Sequence, residues 1–486
     1  MSGLSSNFLV HGVYITIDNS KANAGGVENF RTLLFGQKLS AGTATDNVPI
    51  QVFSGEQAGY FGVGSNLAEM LDQIFLQNAY GEVWVCPVED ASAGTQAAWT
   101  LTVTGPATAS GTIYFYCNGD VYPIGVSTGD TVSTILTAIQ TMIAAHPELP
   151  ITAGTPESTT ITITAKHKGT IGNQIQIGFN QVTGNKFPKG VAVTKASTNS
   201  GATDPTTIQT AIAAIPDTSF DLWLFPWSDS TTIGYFTTEL SGRWSNLSQL
   251  YGVSLTQAYG SASTVEATGS GLNSQYVAVL DTGTNPVSAP YQEIANAAGI
   301  IAPSLEDDPA LTLQTLPLTG IIGDGESTRR TIAQNQSILS AGVSTLSIDR
   351  AGDVSIGRMV TTYKTNSSGV IDHSYQDLTT MFLLAYLSKS LRSFCATTYA
   401  RCKLANDGWA GAPGQKVATP SSIKADLVTW MRQEEYLGHL EAITDDVITN
   451  TTVTRDSTNR NMVHAILAPN LINNLITLDA TIQFVL

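Results

Sequence analysis

Short apolar runs and helix-spaced apolar positions alternate along the first ninety residues. Residues 31–37 (RTLLFGQ) and 82–88 (EVWVCPV) are short apolar runs that predict strands, and residues 66–80 place apolar side chains along one face of a helix. This strand–helix–strand order predicts the beginning of an α/β layer. The same alternation of helices and strands resumes over residues 201–303.

A different pattern interrupts this order over residues 92–200. The segment is rich in Ser, Thr and Gly, and strand-like stretches such as TTITITAK at 159–166 surround a single helical pattern over 130–146. Asp130 is a suitable N-cap for that helix, and Pro147 follows its end. The segment therefore predicts a separate β-rich module with one helix.

From residue 304 onward, helical patterns alternate with hairpin patterns. Ser374 and Asp377 resemble a capping box in front of a long apolar helix. The predicted elements of this region are helices at 325–343, 378–402 and 421–438, a hairpin about Gly352–Asp353, strands at 447–456 and 461–469, and a short helix at 470–478.

Together these patterns predict a mixed, multidomain fold with α/β and α+β parts. The Ser/Thr/Gly-rich stretch at 195–205 marks the end of the inserted module. The predicted units are an N-terminal arm at 1–20, a split α/β domain at 21–91 plus 201–303, an inserted β-rich domain at 92–200, a C-terminal α+β domain at 304–478, and a C-terminal arm strand at 479–486.

Side chains alternate strictly, as in strands, in two segments near the ends of the sequence. The positions that share one face are Val13, Ile15 and Ile17 in the first segment and Ala480, Ile482, Phe484 and Leu486 in the second. A bare strand edge invites pairing with another chain. Residues 461–469 also offer a partner for 480–486 within the same chain, so both kinds of pairing stay open.

Composition and charge limit the kinds of molecule that this protein is expected to bind. Only 13% of the 486 residues are charged, about half the usual share, so the surface is rich in uncharged polar groups, which suits assembly. The net charge is −16, and the densest basic patch is TRR at 328–330, which argues against a nucleic-acid partner. The longest apolar run, 381–387, is much too short to span a bilayer, and residues 1–13 lack the features of a signal peptide.

Motifs for catalysis, metals and nucleotides are missing from the sequence. It contains no GxxxxGK phosphate loop, no HExxH and no EF-hand loop, and its six His do not pair at metal-ligand spacing. We therefore expect no enzyme activity, no cofactor and no metal site. The four cysteines form no CxxC pair, so we expect buried reduced thiols and synthesis in a reducing compartment; they are Cys86, Cys117, Cys395 and Cys402.

Three features still require a choice between a site and a simple structural role. Ser127 lies in a G-x-S-x-G match between a strand and a helix, but the small β-rich module lacks the parallel strands of an α/β-hydrolase. Ser421 begins an S-x-x-K match that is more simply a helix start after Pro420. Trp223 and Trp227 favour core or interface packing over an aromatic binding site.

Several segments carry the resemblance to a known family. Residues 337–387 (SILSAGVSTLSIDRAGDVSIGRM and onward), 403–408 (KLANDG), 417–428 (VATPSSIKADLV) and 459–486 (NRNMVHAILAPNLINNLITLDATIQFVL) resemble the tail sheath proteins of contractile-tailed bacteriophages, in the Mu-like branch. Residues 11–22 (HGVYITIDNSKA) resemble the N-terminal arm of that family. The inserted module is similar to the outward-facing domain of these sheaths.

The resemblance implies a structural subunit of a contractile tail. Such subunits assemble in helical stacked rings around a tail tube, in a metastable extended state, and contract to drive the tube through the host envelope without nucleotide. The implied partners are further copies of the chain, the tail tube protein, and baseplate and tail terminator proteins, with no direct contact to nucleic acid or membrane. The implied location is the virion tail, after synthesis in the bacterial host cytoplasm.

Terminal arms connect neighbouring subunits in this family, so we expect exchanged terminal strands here. The expected arm contacts between subunits are Val13, Tyr14, Ile15, Ile17, Ile482, Phe484 and Leu486. The alternatives are another virion component, such as a tail tube or capsid subunit, a sheath from a phage-derived injection machine and, least favoured, a serine hydrolase that uses Ser127.

Overall fold

The computed structural model describes residues 29–181, 184–412 and 414–484. The predicted N-terminal arm, with Val13, Tyr14, Ile15 and Ile17, lies outside these residues, as does Leu486. The strands are β1 (Arg31–Gln37), β2 (Ile50–Val52), β3 (Glu82–Val88), β4 (Gln96–Thr104), β5 (Gly111–Cys117), β6 (Asp120–Val126), β7 (Ile151–Ala153), β8 (Thr160–Lys168), β9 (Ile177–Phe179), β10 (Ala192–Asn199), β11 (Leu222–Leu224), β12 (Val253–Ala258), β13 (Val277–Asp281), β14 (Ser344–Ile348), β15 (Val354–Arg358), β16 (Lys403–Leu404), β17 (Val417–Ala418), β18 (Leu440–Glu441), β19 (Thr452–Arg455), β20 (Val463–Ile466) and β21 (Asn470–Leu471). The helices are α1 (Gln57–Phe61), α2 (Asn66–Gln77), α3 (Val132–Ala145), α4 (Ile208–Ala213), α5 (Ser230–Arg243), α6 (Ala262–Ser270), α7 (Pro290–Asp307), α8 (Ile332–Ser340), α9 (Leu378–Thr398), α10 (Pro420–Tyr436) and α11 (Asp445–Asn450), with a 3₁₀ turn at Thr170–Gln174.

Within the described ranges, eight strands form one large sheet in the order β15-β14-β13-β12-β11-β1-β3-β2. The six strands from β14 to β3 run parallel, and the two edge strands run antiparallel to their neighbours. A parallel sheet needs apolar cover on both faces. In β1, Leu34 packs with α2 and α7 on one face, whereas Leu33 and Phe35 pack with α4 and α5 on the other. This part of the chain is therefore an α/β structure with helices on both faces.

The predicted boundary at residue 303 is not a boundary in this sheet. β13 pairs in parallel with β14 through Leu280 and Ser344, and β14 turns back into β15. The hairpin about Gly352–Asp353 is confirmed, and Gly352 takes the positive φ of 103° that its turn requires. The hairpin extends the α/β sheet to residue 358 because its buried face completes the core around β13.

The strands between β3 and β11 form a separate pair of sheets. One sheet has the order β10-β4-β8-β7 and the other β6-β5-β9, and α3 packs with both around a core of its own. The helix predicted over 130–146 is confirmed, but its N-cap is Thr131, whose hydroxyl accepts from the Thr134 amide at 3.3 Å. Asp130 instead closes the preceding turn by accepting from the Ser127 amide at 2.7 Å. This correction is local, because two adjacent residues both have N-cap side chains.

The helices α9 and α10 pack on each other around a small apolar cluster that includes Leu383, Trp430 and Met431. The capping box predicted at Ser374 and Asp377 is wrong. Asp377 is itself the N-cap residue of α9, and its carboxylate accepts from the Arg358 guanidinium at 2.9 Å instead of from the helix.

Among the described residues, no helix is long and apolar enough to cross a membrane.

After residue 440, one predicted strand is shorter than expected and the predicted short helix is not formed. The strand predicted over 447–456 is formed only at β19 (Thr452–Arg455), because residues 445–450 form helix α11, whose start Asp445 and Asp446 favour. The predicted helix at 470–478 is wrong: Asn470–Leu471 form the short strand β21, in which Leu471 pairs with Leu440, and 472–478 have no regular secondary structure. The part of the predicted last strand that the structure describes, 480–484, belongs to no sheet.

The cysteines are free, as expected, but only two of them are buried. Burial raises the pKa of the Cys86 thiol to about 12. Cys395 and Cys402 are half-buried, because α9 leaves the core before its last turns.

Candidate inter-subunit interface

The hairpin of β19 and β20 stands apart from the large sheet. The two strands pair only with each other among the described residues, from Thr452 opposite Ile466 to Arg455 opposite Val463. Residues of β20 are half-buried or exposed, and the Ile466 side chain is 65% exposed. An isolated two-stranded hairpin is marginally stable in water. Its outer edge is thus available for a further strand.

The turn of this hairpin is held by one carboxylate. Asp456 accepts from the amides of Thr458 and Asn459 and pairs with the His464 Nε2 at 2.8 Å. These donors, the Asn459 amide first, lower the pKa of the Asp456 carboxyl to about 2. The hairpin is therefore ordered by local contacts even though little of it is buried.

The tail after β21 is anchored at its start and exposed toward its end. The Asn474 side-chain amide donates to the Thr379 hydroxyl at 2.6 Å, and Ile476 is half-buried. Beyond that point, exposure of the large apolar side chains is 80% at Leu478, 90% at Ile482 and 79% at Phe484. Exposed apolar side chains at this density are typical of a surface that awaits a partner.

Of the seven predicted arm residues, the structure describes only Ile482 and Phe484. Both lie on the exposed tail, and β20 pairs with β19 rather than with 480–484. The pairing of 480–484 inside the same chain, which the sequence left open, is therefore not formed among the described residues. Pairing between subunits remains a proposal.

A second exposed apolar area lies at the end of α10, where the sequence pattern predicts only a helix. Tyr436 is 92% exposed and Leu437 57% exposed, beside Arg432 and Gln433 in an open groove. The signal was present in the sequence as two apolar residues after the charged run RQEE, but periodicity alone does not tell a buried helix face from an exposed one.

The two weak catalytic matches have ordinary structural roles. Ser127 lies in the turn before α3, and among the described residues no hydrogen bond joins its hydroxyl to a His. The Ser421 hydroxyl donates to Asp407 at 2.7 Å near the start of α10. Within the described ranges, no three His, Cys, Asp or Glu side chains come together in a way that could hold a metal ion.

The tryptophan pair is core. Trp223 and Trp227 are 0% and 1% exposed, and the Trp223 ring stacks with Phe35 at 5.7 Å between centroids. The Arg243 guanidinium, at the end of α5, lies over the Trp223 ring, 5.0 Å from its centroid. The packing interpretation of these residues is thus confirmed.

Comparison with known proteins identifies relatives across nearly the whole chain. Residues 371–485 match the family model of the phage tail sheath C-terminal domain. The chain is 31% identical, over 475 residues, to the Mu-like prophage FluMu tail sheath protein of Haemophilus influenzae (strain ATCC 51907 / DSM 11121 / KW20 / Rd); this alignment covers 97% of the chain and 96% of the relative.

Two solved structures are also similar. The sheath tail protein from Desulfitobacterium hafniense is 14% identical with a TM-score of 0.49, and the similarity covers 95% of this chain and 100% of that chain. The helical sheath of the anti-feeding prophage in its contracted state is 12% identical with a TM-score of 0.47, covering 98% of this chain and 99% of that chain.

Proposed function

The chain belongs to the tail sheath proteins of Mu-like phages, and from this premise we propose that its copies assemble helically around a tail tube in a metastable extended state and contract to drive the tube through the host envelope. A tail sheath protein is a structural component of the phage tail and not an enzyme. The identity to a sheath relative over 97% of the chain carries the proposal, since it includes both the insert and the C-terminal part.

The proposed partners follow from this role. Copies of the chain contact one another in stacked rings, the tail tube lies inside them, and baseplate and tail terminator proteins bound the two ends. The subunit is synthesised in the bacterial cytoplasm and functions in the virion tail. The stroke uses energy stored during assembly.

The terminal arms supply the connection between subunits in this proposal. Residues 480–486 leave their own subunit and pair with a neighbour's sheet, beside a strand from residues 13–17 of another copy. The exposure of Ile482 and Phe484 and the unpaired outer edge of β20 support this arrangement, because they are the donor and the acceptor that β-augmentation needs. The inserted domain, residues 92–200, faces outward.

The energetics of one such arm are near balance. Three or four net hydrogen bonds contribute about 2–6 kcal/mol, and burial of Ile482, Phe484 and Leu486 contributes roughly 5–9 kcal/mol. Ordering seven residues costs about 7–14 kcal/mol of backbone entropy. A single arm is therefore marginal, and repetition of the contact over a lattice makes the connection firm.

Electron microscopy of the purified protein tests the proposal. We expect tubes or stacked rings, with a length that grows with protein concentration. Only dispersed globular particles, over a full range of salt and protein concentrations, would contradict it. A serine hydrolase would instead require activity that is lost in a Ser127→Ala variant while the particles stay unchanged.

A further inference from the structure

The parallel strands of the large sheet end at a crevice where the chain reverses its winding direction. From β1 the chain goes first to β3 on one side and then to β11, β12 and β13 on the other. In open α/β sheets, the carboxyl ends of the strands at such a reversal are the usual place where ligands bind. Here the groups at these ends are Gln37, Asp90, Pro226 and Gln257.

One side chain of the inserted module enters this crevice beside β1 and β3. His167, at the end of β8, is 3% exposed; its Nδ1 pairs with Asp90 Oδ1 at 2.8 Å. Its Nε2 accepts from the Asn66 amide at 3.1 Å. Asn66 is the first residue of α2. Amides at such helix N-termini commonly bind anionic ligands in α/β sheets, but here the amide bonds to the His167 imidazole.

The backbone next to His167 completes the contact. The Lys168 amide donates to Asp90 Oδ2 at 2.8 Å, and the Lys168 carbonyl accepts from Gln37 Nε2 at 2.9 Å. Gln37 is fully buried at the end of β1. The Asn66 amide, the Asp90 carboxylate and the Gln37 side-chain NH2 group thus all bond to two consecutive residues of the insert.

A second side chain of the insert reaches the neighbouring strands. Gln174, at the end of the 3₁₀ turn, is 3% exposed, and its Nε2 donates to the Pro226 carbonyl at 2.9 Å. The same carbonyl, just after β11, accepts from Gln257 Nε2 of β12 at 3.2 Å. The insert therefore bonds to both sides of the reversal point.

We propose that the inserted module is the resident occupant of this crevice, with His167 and Gln174 in the positions that a small-molecule ligand would take in another sheet of this strand order. The contact fixes the insert to the sheet as one body. If the chain acts as the sheath subunit proposed above, the insert then moves with the core of its own subunit during contraction rather than as a separate hinged domain.

Hydrogen exchange on the full, unassembled chain tests this proposal with His167→Ala and Gln174→Ala. We expect exchange about tenfold faster in peptides covering 64–72 and 166–176 for His167→Ala, and in the peptide covering 166–176 for Gln174→Ala, because the bonds across the crevice are lost. Peptides from β1 and β12 should keep wild-type protection, which shows that the sheet stays folded. Matched controls are His146→Ala, which removes an imidazole paired within the insert with Glu148, and Gln140→Ala, which removes an amide bond within the insert to Gly154.

Unchanged exchange at 64–72 and 166–176 in both variants would overturn the proposal. If His167→Ala unfolds the sheet, Gln174→Ala and the milder His167→Gln, which can still accept from Asn66, decide the question in the same peptides. Native mass spectrometry that finds a small molecule on the full chain, lost on Gln37→Ala substitution, would also contradict it. Because dispersed subunits are measured, failure of the chain to form tubes leaves this test unaffected.

Discussion

Two side chains on the exposed tail, Ile482 and Phe484, are the best-placed single residues for contact between subunits. They lie on one face of a strand pattern, and neither has a partner surface among the described residues that would bury it. In the proposed arm contact, these side chains are exposed in the free subunit, and their burial is favourable only on assembly.

Substitution of Phe484 by Asp should block assembly and leave the subunit folded. Burial of a carboxylate in the arm contact is strongly unfavourable, whereas burial of the Phe484 ring is favourable. In the free subunit the Phe484 side chain is 79% exposed, so the change should not affect folding there. Electron microscopy would report assembly, and circular dichroism with a thermal scan would report folding. Gln483→Asp, on the opposite face of the same segment, is the matched control and should still form tubes; normal tubes from Phe484→Asp would refute the arm contact.

Loss of the Arg330 side chain should weaken the large sheet. Its guanidinium binds Asp281 through Nε and Nη2, both at 2.9 Å, and also donates to the Gly260 carbonyl at 2.7 Å. Arg330→Ala leaves the Asp281 carboxylate buried without its charged partner, so we expect a loss of about 3–5 kcal/mol in the free energy of unfolding.

The neighbouring Arg329 provides the control for that measurement. It donates to the backbone carbonyls of Asp324 and Asp349, so Arg329→Ala should cost much less. The double variant Arg330→Met/Asp281→Leu should recover most of the stability, since it removes both charges. Denaturant titrations measure the free energy of unfolding. Equal losses from Arg329→Ala and Arg330→Ala would show that the buried pair of Arg330 and Asp281 does not stabilise the fold more than the Arg329 contacts do.

At the scale of elements, the hairpin β19–β20 offers a free strand edge and the exposed segment 477–484 offers a strand pattern, and neither is paired with another strand among the described residues. The Asp456 amide bonds to the Met462 carbonyl at 2.9 Å, which sets the alternation of the antiparallel ladder. By that alternation, the amides of Val463 and Ala465 point to the free edge of the hairpin. A strand added there would bond to these two amides.

Ala465→Pro should therefore weaken assembly while the hairpin itself stays formed. Proline removes the outward amide without breaking a bond to β19, and edge positions tolerate it. The critical concentration for tube formation, measured by sedimentation, should rise. Ala465→Thr keeps the amide and serves as the control; if both variants assemble at the wild-type concentration, β20 is not the edge that receives the arm.

At the scale of the whole molecule, the junction between insert and core also carries a buried acid. Glu69 on α2 accepts from the Tyr291 hydroxyl of α7 at 2.5 Å and from the Asn118 side chain of the insert at 3.1 Å. Burial raises the pKa of the Glu69 carboxyl to about 8 from an ordinary value of 4.5. The folded state thus favours its protonated form.

The subunit should lose thermal stability as pH rises from 5 to 9. Because the pKa of Glu69 is higher in the folded state, the protonated group stabilises the fold fully at pH below its unfolded pKa. This stabilisation, about 2–4 kcal/mol, is lost as the pH rises through the folded-state pKa. Calorimetry should show the melting temperature of Glu69→Gln changing less over this range. The control is Glu148→Gln, which should keep the wild-type fall, because hydrogen bonds from its own backbone amide and then from His146 lower the pKa of the Glu148 carboxyl. An identical slope in Glu69→Gln would refute the assignment.

The local pattern of the sequence determined most individual elements of the α/β part. β1, α2 and β3 lie where apolar runs and helix spacing placed them, because side-chain periodicity is set by the residues themselves. The family was also readable from the sequence, through the segments at 337–428 and 459–486, and the relative at 31% identity establishes it. The absence of an enzyme role follows from that family.

Only the tertiary structure decided which elements belong together. In the structure, β14 and β15 belong to the large sheet, and residues 470–471 pair with β18. His167 and Gln174 of the insert lie at the ends of the sheet strands. Periodicity tells which face of an element is apolar but not which surface will cover it, and pairings between residues far apart in the chain depend on the whole packed arrangement. The exposed face of the tail is the clearest case: its residues alternate as in a strand, and no described residue of the chain covers that face.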